Sequence, residues 1–189
     1  MEQAKQKQEL RQELLKVRSD LSPEAYREKS DKIIGRLKTQ PEFIKADIIH
    51  CYVSMNERNE VNTHGLLKDL VKSNKKPVVS ITNFEEGTLS HRYLGSVDDL
   101  QKNKWGVPEP VKGQDAEVND LELVIVPMVG GDSERNRIGY GKGFYDRFLQ
   151  NVTCPSIGLL FDSCLVRSVP VEPFDISLDK CITESKIIS

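Results

Sequence analysis

An α/β fold with a mainly parallel central sheet is what three features of this sequence predict. Short runs rich in β-branched residues are separated by polar segments. Helical patterns fall after the first and fourth of these runs, so strands and helices alternate in the βαβ manner. The run LELVIVPMV (121–129) is apolar almost throughout, as a central strand covered on both faces must be.

In chain order, residues 3–19 set Leu10, Leu14 and Val17 at helical spacing, and Leu21 extends the same face, which predicts an amphipathic opening helix. Ser22 suits an N-cap and Pro23 a first helical position. A second helix is therefore expected through Tyr26, Ile33, Ile34 and Leu37 until Pro41 stops it, so that two helices precede any strand. The strand candidates are DIIHCYVSM (47–55), KPVVSITNF (76–84), LSHRYL (89–94), LELVIVPMV and CPSIGLLF (154–161). THGLLKDLVKS (63–73) and GFYDRFLQN (143–151) read as helices. The stretch from Lys102 to Asn119, rich in Pro, Gly and charge, is expected as a long surface loop, and such loops in compact domains are often functional.

A chain of 189 residues suits one domain, here 1–189, that buries roughly 70% of its unfolded surface. Its net charge of −2 lacks the basicity that nucleic-acid binding needs, so a small-molecule ligand is expected. Cys51, Cys154, Cys164 and Cys181 form no CxxC pair, and His50, His64 and His91 stand at no metal-ligand spacing from them, which argues against structural zinc. The opening segment is too charged for a secretory signal, and no apolar run approaches bilayer length. A cytoplasmic, monomeric protein with reduced cysteines and no membrane partner is expected, its Asn151 sequon unglycosylated.

The most specific segment is RIGYGKGFYDRFL (137–149), which follows an apolar strand and opens a helix. Gly139, Gly141 and Gly143 let the backbone approach a ligand closely, and Arg137 and Lys142 supply cations. A helix beginning near Gly143 aims unpaired N–H groups at an anion. Asp146, in its first turn, can hold a magnesium ion. The segment matches neither GxxxxGKS/T nor GxGxxG, so a nucleotide site here is of another kind.

Four further constellations carry two readings each. Lys7, Arg11 and Arg18 point within about 40° of one another beside the leucine stripe, either as a solvated basic face or as cations for a polyphosphate. Glu60 follows a strand and leads through Thr63 into the next helix; it is a solvated loop residue or an acceptor for the N–H groups of a heterocycle. Trp105, the single tryptophan, anchors its loop or stacks on a flat ligand. Asp175 and Asp179 are turn residues unless the fold brings one of them to Asp146.

Taken together, KQELR (7–11), the LS pair at 21–22, YVS with the downstream EVNT, WGVPEP (105–110), the VPM strand end, RIGYGKGFYDRFL and VPVEPFD (169–175) resemble the 5-formyltetrahydrofolate cyclo-ligase family, over most of the chain. The resemblance implies a three-layer α/β/α sandwich, Rossmann-like, and an ATP- and Mg²⁺-dependent conversion of 5-formyltetrahydrofolate to 5,10-methenyltetrahydrofolate. It implies that Lys7 and Arg11, with Arg137, Ile138, Gly139, Tyr140, Gly141, Lys142, Gly143, Phe144 and Tyr145, contact ATP. Asp146 and Asp175 would hold Mg²⁺. Val53, Glu60 and Tyr140 would contact the folate, with Trp105 on the pteridine side and Glu57 the alternative to Glu60. Lys142 and Arg137 are the expected catalytic cations. Two other classes remain open at this point: a silent domain that binds a nucleotide or folate, and a phosphotransferase with another acceptor.

Overall fold

The computed structural model describes residues 2–189. Helix α1 (Glu2–Ser19) is followed by α2 (Pro23–Lys38), whose N-cap Ser22 accepts from the Ala25 N–H at 3.2 Å. Pro41 does end α2. It also opens a short helix α3 (Pro41–Lys45), because a proline that cannot continue one helix fits the first turn of the next. Three helices, not two, therefore precede the sheet.

The central sheet holds β1 (Ile48–Cys51), β2 (Lys76–Asn83), β3 (Thr88–Tyr93), β6 (Leu123–Pro127), β9 (Ser156–Leu159), β10 (Lys180–Ile182) and β11 (Ile187–Ile188), in the order β11-β10-β9-β6-β1-β2-β3. The inner five strands are parallel, while β3 and β11 lie antiparallel at the two edges. Two small hairpins stand apart, β4 (Leu100–Lys102) with β5 (Pro108–Pro110) and β7 (Gly130–Gly131) with β8 (Arg137–Ile138). The first of them runs into the stretch expected as a long surface loop, with β5 inside it. Its strands have three residues each, too few to show a period.

Alternation along β6 divides the core. Leu123 and Ile125 face α2 and α4 (His64–Lys72), and Val124 and Val126 face α5 (Phe144–Leu149). Helices cover both faces, giving the three layers. No helix among the described residues is long and apolar enough to cross a membrane. From β1 the sheet winds outward to β2, and from β6 it winds the other way to β9 and β10. Strand order thus reverses between β1 and β6, and ligand crevices in open α/β sheets form at the carboxyl ends of such a pair.

Across those ends lies α1. Its inward stripe runs Lys7, Arg11, Leu14, Arg18, at spacings of three and four residues, and Lys7, Leu14 and Arg18 are buried. Gly130 makes the docking possible, since a Cβ there would stand 2.4 Å from Leu14 Cδ1 and 2.8 Å from the Cys164 carbonyl oxygen. The basic edge of α1 is its buried edge.

His50 on β1 and His91 on β3 meet edge to face, ring centroids 5.2 Å apart, under Phe148. His50 Nε2 lies 2.8 Å from Ser80 Oγ, whereas neither ring nitrogen of His91 has a partner among the described residues. Burial holds both imidazoles below their ordinary range, His91 down to about 4. A histidine buried neutral binds its proton only after unfolding, so stability falls as pH drops from about 6.5 toward 4. In urea unfolding, the wild-type chain is expected to lose up to about 2 kcal/mol more between pH 7 and pH 5 than His91→Phe does.

Candidate active site

At the reversal between β1 and β6 the chain encloses a cavity of about 640 Å³. Beyond Cys51 the predicted first strand leaves the sheet, and Tyr52, Val53 and Met55 become cavity wall. Ser80, Thr82 and Phe84 come from β2 and the residue after it, on one face of the strand as a period of two requires. Arg137 of β8 and the glycine loop form the opposite wall, and α1 closes the site with Lys7 and Arg11.

One half of the cavity is ionic. Lys7, 6% exposed, pairs with Asp175 and lies 3.5 Å from Glu172 Oε2. Arg11 Nε donates to the Gly139 carbonyl at 2.7 Å. Arg137, also 6% exposed, reaches Asp146 Oδ1 at 2.5 Å, and its buried Nε has no partner among the described residues. The Ile176 N–H approaches Asp146 Oδ1 at 3.4 Å, so the late segment carrying Asp175 does come to Asp146. Asp179 is elsewhere, accepting from the N–H and hydroxyl of Ser156. Lys142 is exposed at the rim and enters none of the ion pairs found among the described residues.

The other half is aromatic and apolar, with a single buried acid. Trp105, 44% exposed at the tip of the β4–β5 hairpin, lies 3.9 Å centroid to centroid from Phe84, which meets Phe144 at 5.4 Å. Opposite them Glu60 is 4% exposed; its Oε2 accepts from the Met55 N–H at 2.7 Å and its Oε1 from Tyr140 Oη at 2.5 Å. Burial pushes the Glu60 carboxyl up, and the Met55 and Tyr140 donors with Arg18 and Arg58 pull it back. The same burial, with Glu60 beside it, pushes the Tyr140 phenol far up. Glu57 points to solvent and pairs with Lys102, so of the two glutamates Glu60 is the one in the cavity wall.

Of the residues singled out for the site, Arg18, Glu57, Ile138 and Asp179 lie outside the cavity wall and the others line it. Ile138 has a simple reason. Its neighbour Arg137 faces the cavity, and in an extended strand Ile138 must then face the other way, into the cluster of Leu14 and Val129. Sequence reasoning missed Ser80, Thr82, Phe84, Arg58, Glu172 and Phe174. Alternation within KPVVSITNF could have picked out the first three. Nothing local marked the others.

A sequence profile of the 5-formyltetrahydrofolate cyclo-ligase family matches residues 3–184. An Escherichia coli protein named 5-formyltetrahydrofolate cyclo-ligase is 30% identical over 176 residues, covering 90% of this chain and 96% of its own. A Mus musculus protein of the same name is 27% identical over 191 residues, covering 94% and 93%. The NMR structure of 5,10-methenyltetrahydrofolate synthetase from Aquifex aeolicus superposes with a TM-score of 0.82 at 31% identity, over 96% of this chain and 91% of that one.

Gly141 and Gly143 hold φ of +84° and +68°, and Gly143 is the N-cap of α5. A Cβ on Gly141 would also stand 3.0 Å from Arg11 Cζ. Gly141→Ala is expected to lower stability in urea unfolding by about 1–2 kcal/mol, chiefly from backbone strain. Adding Arg11→Ala should leave most of that loss in place.

Proposed function

Because the chain belongs to the 5-formyltetrahydrofolate cyclo-ligase family, we propose that this cavity converts 5-formyltetrahydrofolate to 5,10-methenyltetrahydrofolate, with ATP and Mg²⁺, releasing ADP and phosphate. One observation carries the reading: a single cavity joins a cationic wall to an aromatic wall bearing a buried carboxylate. The first suits a triphosphate and the second a flat heterocycle with N–H groups.

The chemical obstacle is that a formamide oxygen leaves poorly. Attack of the formyl oxygen on the γ-phosphoryl group expels ADP and gives an iminium phosphate. N10 then adds to the formyl carbon, the C–O bond breaks as phosphate leaves, and the N10 proton is lost. Phosphoryl transfer depends on alignment and on cations facing the spread negative charge. Arg137 suits that role because its buried Nε lacks a partner among the described residues, and Lys142 because it is exposed at the rim and enters no ion pair among them. Lys7 and Arg11 would orient the phosphate tail, alongside the Arg137–Tyr145 segment. Val53, Trp105 and Tyr140 would enclose the folate ring, and Glu60 would accept from its N–H edge.

Asp146 and Asp175 fit a magnesium ion: both are carboxylates on the cavity wall, joined through the Ile176 N–H, and Mg²⁺ takes few protein oxygens beside those of phosphate. Bound there, it would neutralise phosphate charge. In the free protein Lys7 and Arg137 neutralise the same two carboxylates, and phosphate oxygens offer those cations a second partner. The further proposal is a single-domain, cytoplasmic, monomeric enzyme with no nucleic-acid or membrane partner.

Purified protein with 5-formyltetrahydrofolate, ATP and Mg²⁺ is expected to raise the near-ultraviolet absorbance of the methenyl product together with ADP. No ATP-dependent signal would falsify the assignment, and ADP formed only with another acceptor would identify a phosphotransferase. In the same assay Lys142→Met is expected to lose about a hundredfold in kcat with its unfolding transition unchanged, since one transition-state cation is commonly worth that much.

A further inference from the structure

Arg18 is 2% exposed and lies outside the cavity wall, behind Tyr140. Its Nη1 donates to the Met128 carbonyl at 3.2 Å and its Nη2 to Tyr140 Oη at 2.5 Å. Tyr140 Oη donates in turn to Glu60 Oε1 at 2.5 Å, and the Asn59 side chain ties the Arg18 carbonyl to the loop that carries Glu60. A guanidinium has donors only, and a phenol has one proton. Tyr140 must therefore accept from Arg18, and its own proton goes to Glu60 when that carboxyl is ionised, which gives the chain of hydrogen bonds its direction.

The groups facing Glu60 are Arg18 from α1, Tyr26 from α2, Tyr52 and Arg58 from the β1–α4 segment, Tyr140 from the glycine loop and Tyr145 from α5. Arg58 is exposed, and the phenols are neutral near pH 7. Arg18 is the buried cation in this set. A carboxyl so enclosed favours its neutral form, and a neutral Glu60 would present an O–H where a ring N–H needs an acceptor.

We propose that Arg18 is a positioning residue that, through Tyr140, keeps Glu60 an ionised and oriented acceptor for the N–H-bearing edge of the folate ring. This rests on the folate reading of the cavity. It assigns to α1 a role in ring recognition separate from the phosphate end, where Lys7 and Arg11 lie.

The test is equilibrium binding of 5-formyltetrahydrofolate to wild-type and Arg18→Met protein between pH 7 and pH 9, followed by quenching of Trp105, the only tryptophan. Loss of the cation raises the Glu60 pKa, so affinity is lost at the lower pH and returns as pH rises. Arg18→Met is expected to bind about tenfold more weakly at pH 7 and to recover toward pH 9, while the wild-type Kd stays flat. Affinity for ATP should change less than about threefold in the variant, and Arg18→Lys should restore most of the folate affinity. Tyr140→Phe cuts the link with Arg18 in place, serves if Arg18→Met fails to fold, and should show the same pH dependence.

A weakened but pH-independent Kd in these variants, or equal loss of ATP and folate, overturns the proposal in favour of a structural role. Wild-type protein that makes methenyl product alongside a pH-flat variant overturns the role of Arg18 alone. Wild-type protein that neither binds folate nor makes product overturns the functional reading and this inference with it.

Discussion

Buried positive charge on α1 sets the terms for the rest of the cavity. Lys7 and Arg18 are both removed from water, and an unpaired buried cation costs several kcal/mol in proteins of any fold. Each is therefore answered from a distant part of the chain, Lys7 by Asp175 and Glu172, Arg18 by Met128 and Tyr140. Docking that helix brings the late acidic segment, the glycine loop and the β6 strand end to one place. Without those partners the stripe of α1 would have to turn to solvent, and Leu14 would turn with it.

The fold was legible where burial imposes a period. The runs at β1, β2, β3, β6 and β9 show it, as do α2 and α4, because a covered strand or helix face needs apolar residues in sequence order. The β7–β8 hairpin and β10–β11 were not legible, being two or three residues per strand and held by tertiary pairing alone. On α1 the spacing of Lys7, Arg11 and Arg18 could be read but not its direction. Charged residues face water by default, and only the partners at Asp175, Gly139 and Tyr140 reverse that. Glu57 and Glu60 present the same difficulty over three residues: both follow β1, and the left-handed Asn59 between them turns one outward and the other under Tyr140.

The two walls of the cavity are built by different means. The ionic wall depends on loops whose backbone is held by carboxylates; Asp132, for example, receives the N–H groups of Glu134, Asn136 and Val169 and so fixes the turn before β8. The aromatic wall depends on the sheet and on the β4–β5 hairpin, tied to β2 where Glu109 accepts from the Thr82 N–H at 2.7 Å. Each wall has its own support, and the contacts of Phe144 with Phe84 and of Tyr140 with Glu60 join the two.

The docking of α1 also bears on how the molecule comes together. Its bonds to Met128 and Asp175 span 110 and 168 residues of chain. The α2–α4 layer and strands β1 to β3 can form from nearer neighbours, whereas the stripe of α1 finds its counter-charges only after most of the sheet exists. Contacts of such long sequence separation form slowly, because loop closure precedes any gain from them. The sheet is thus expected to assemble first and the cavity last, with α1 an amphipathic helix waiting, its cations in water, for the strand ends that will enclose them.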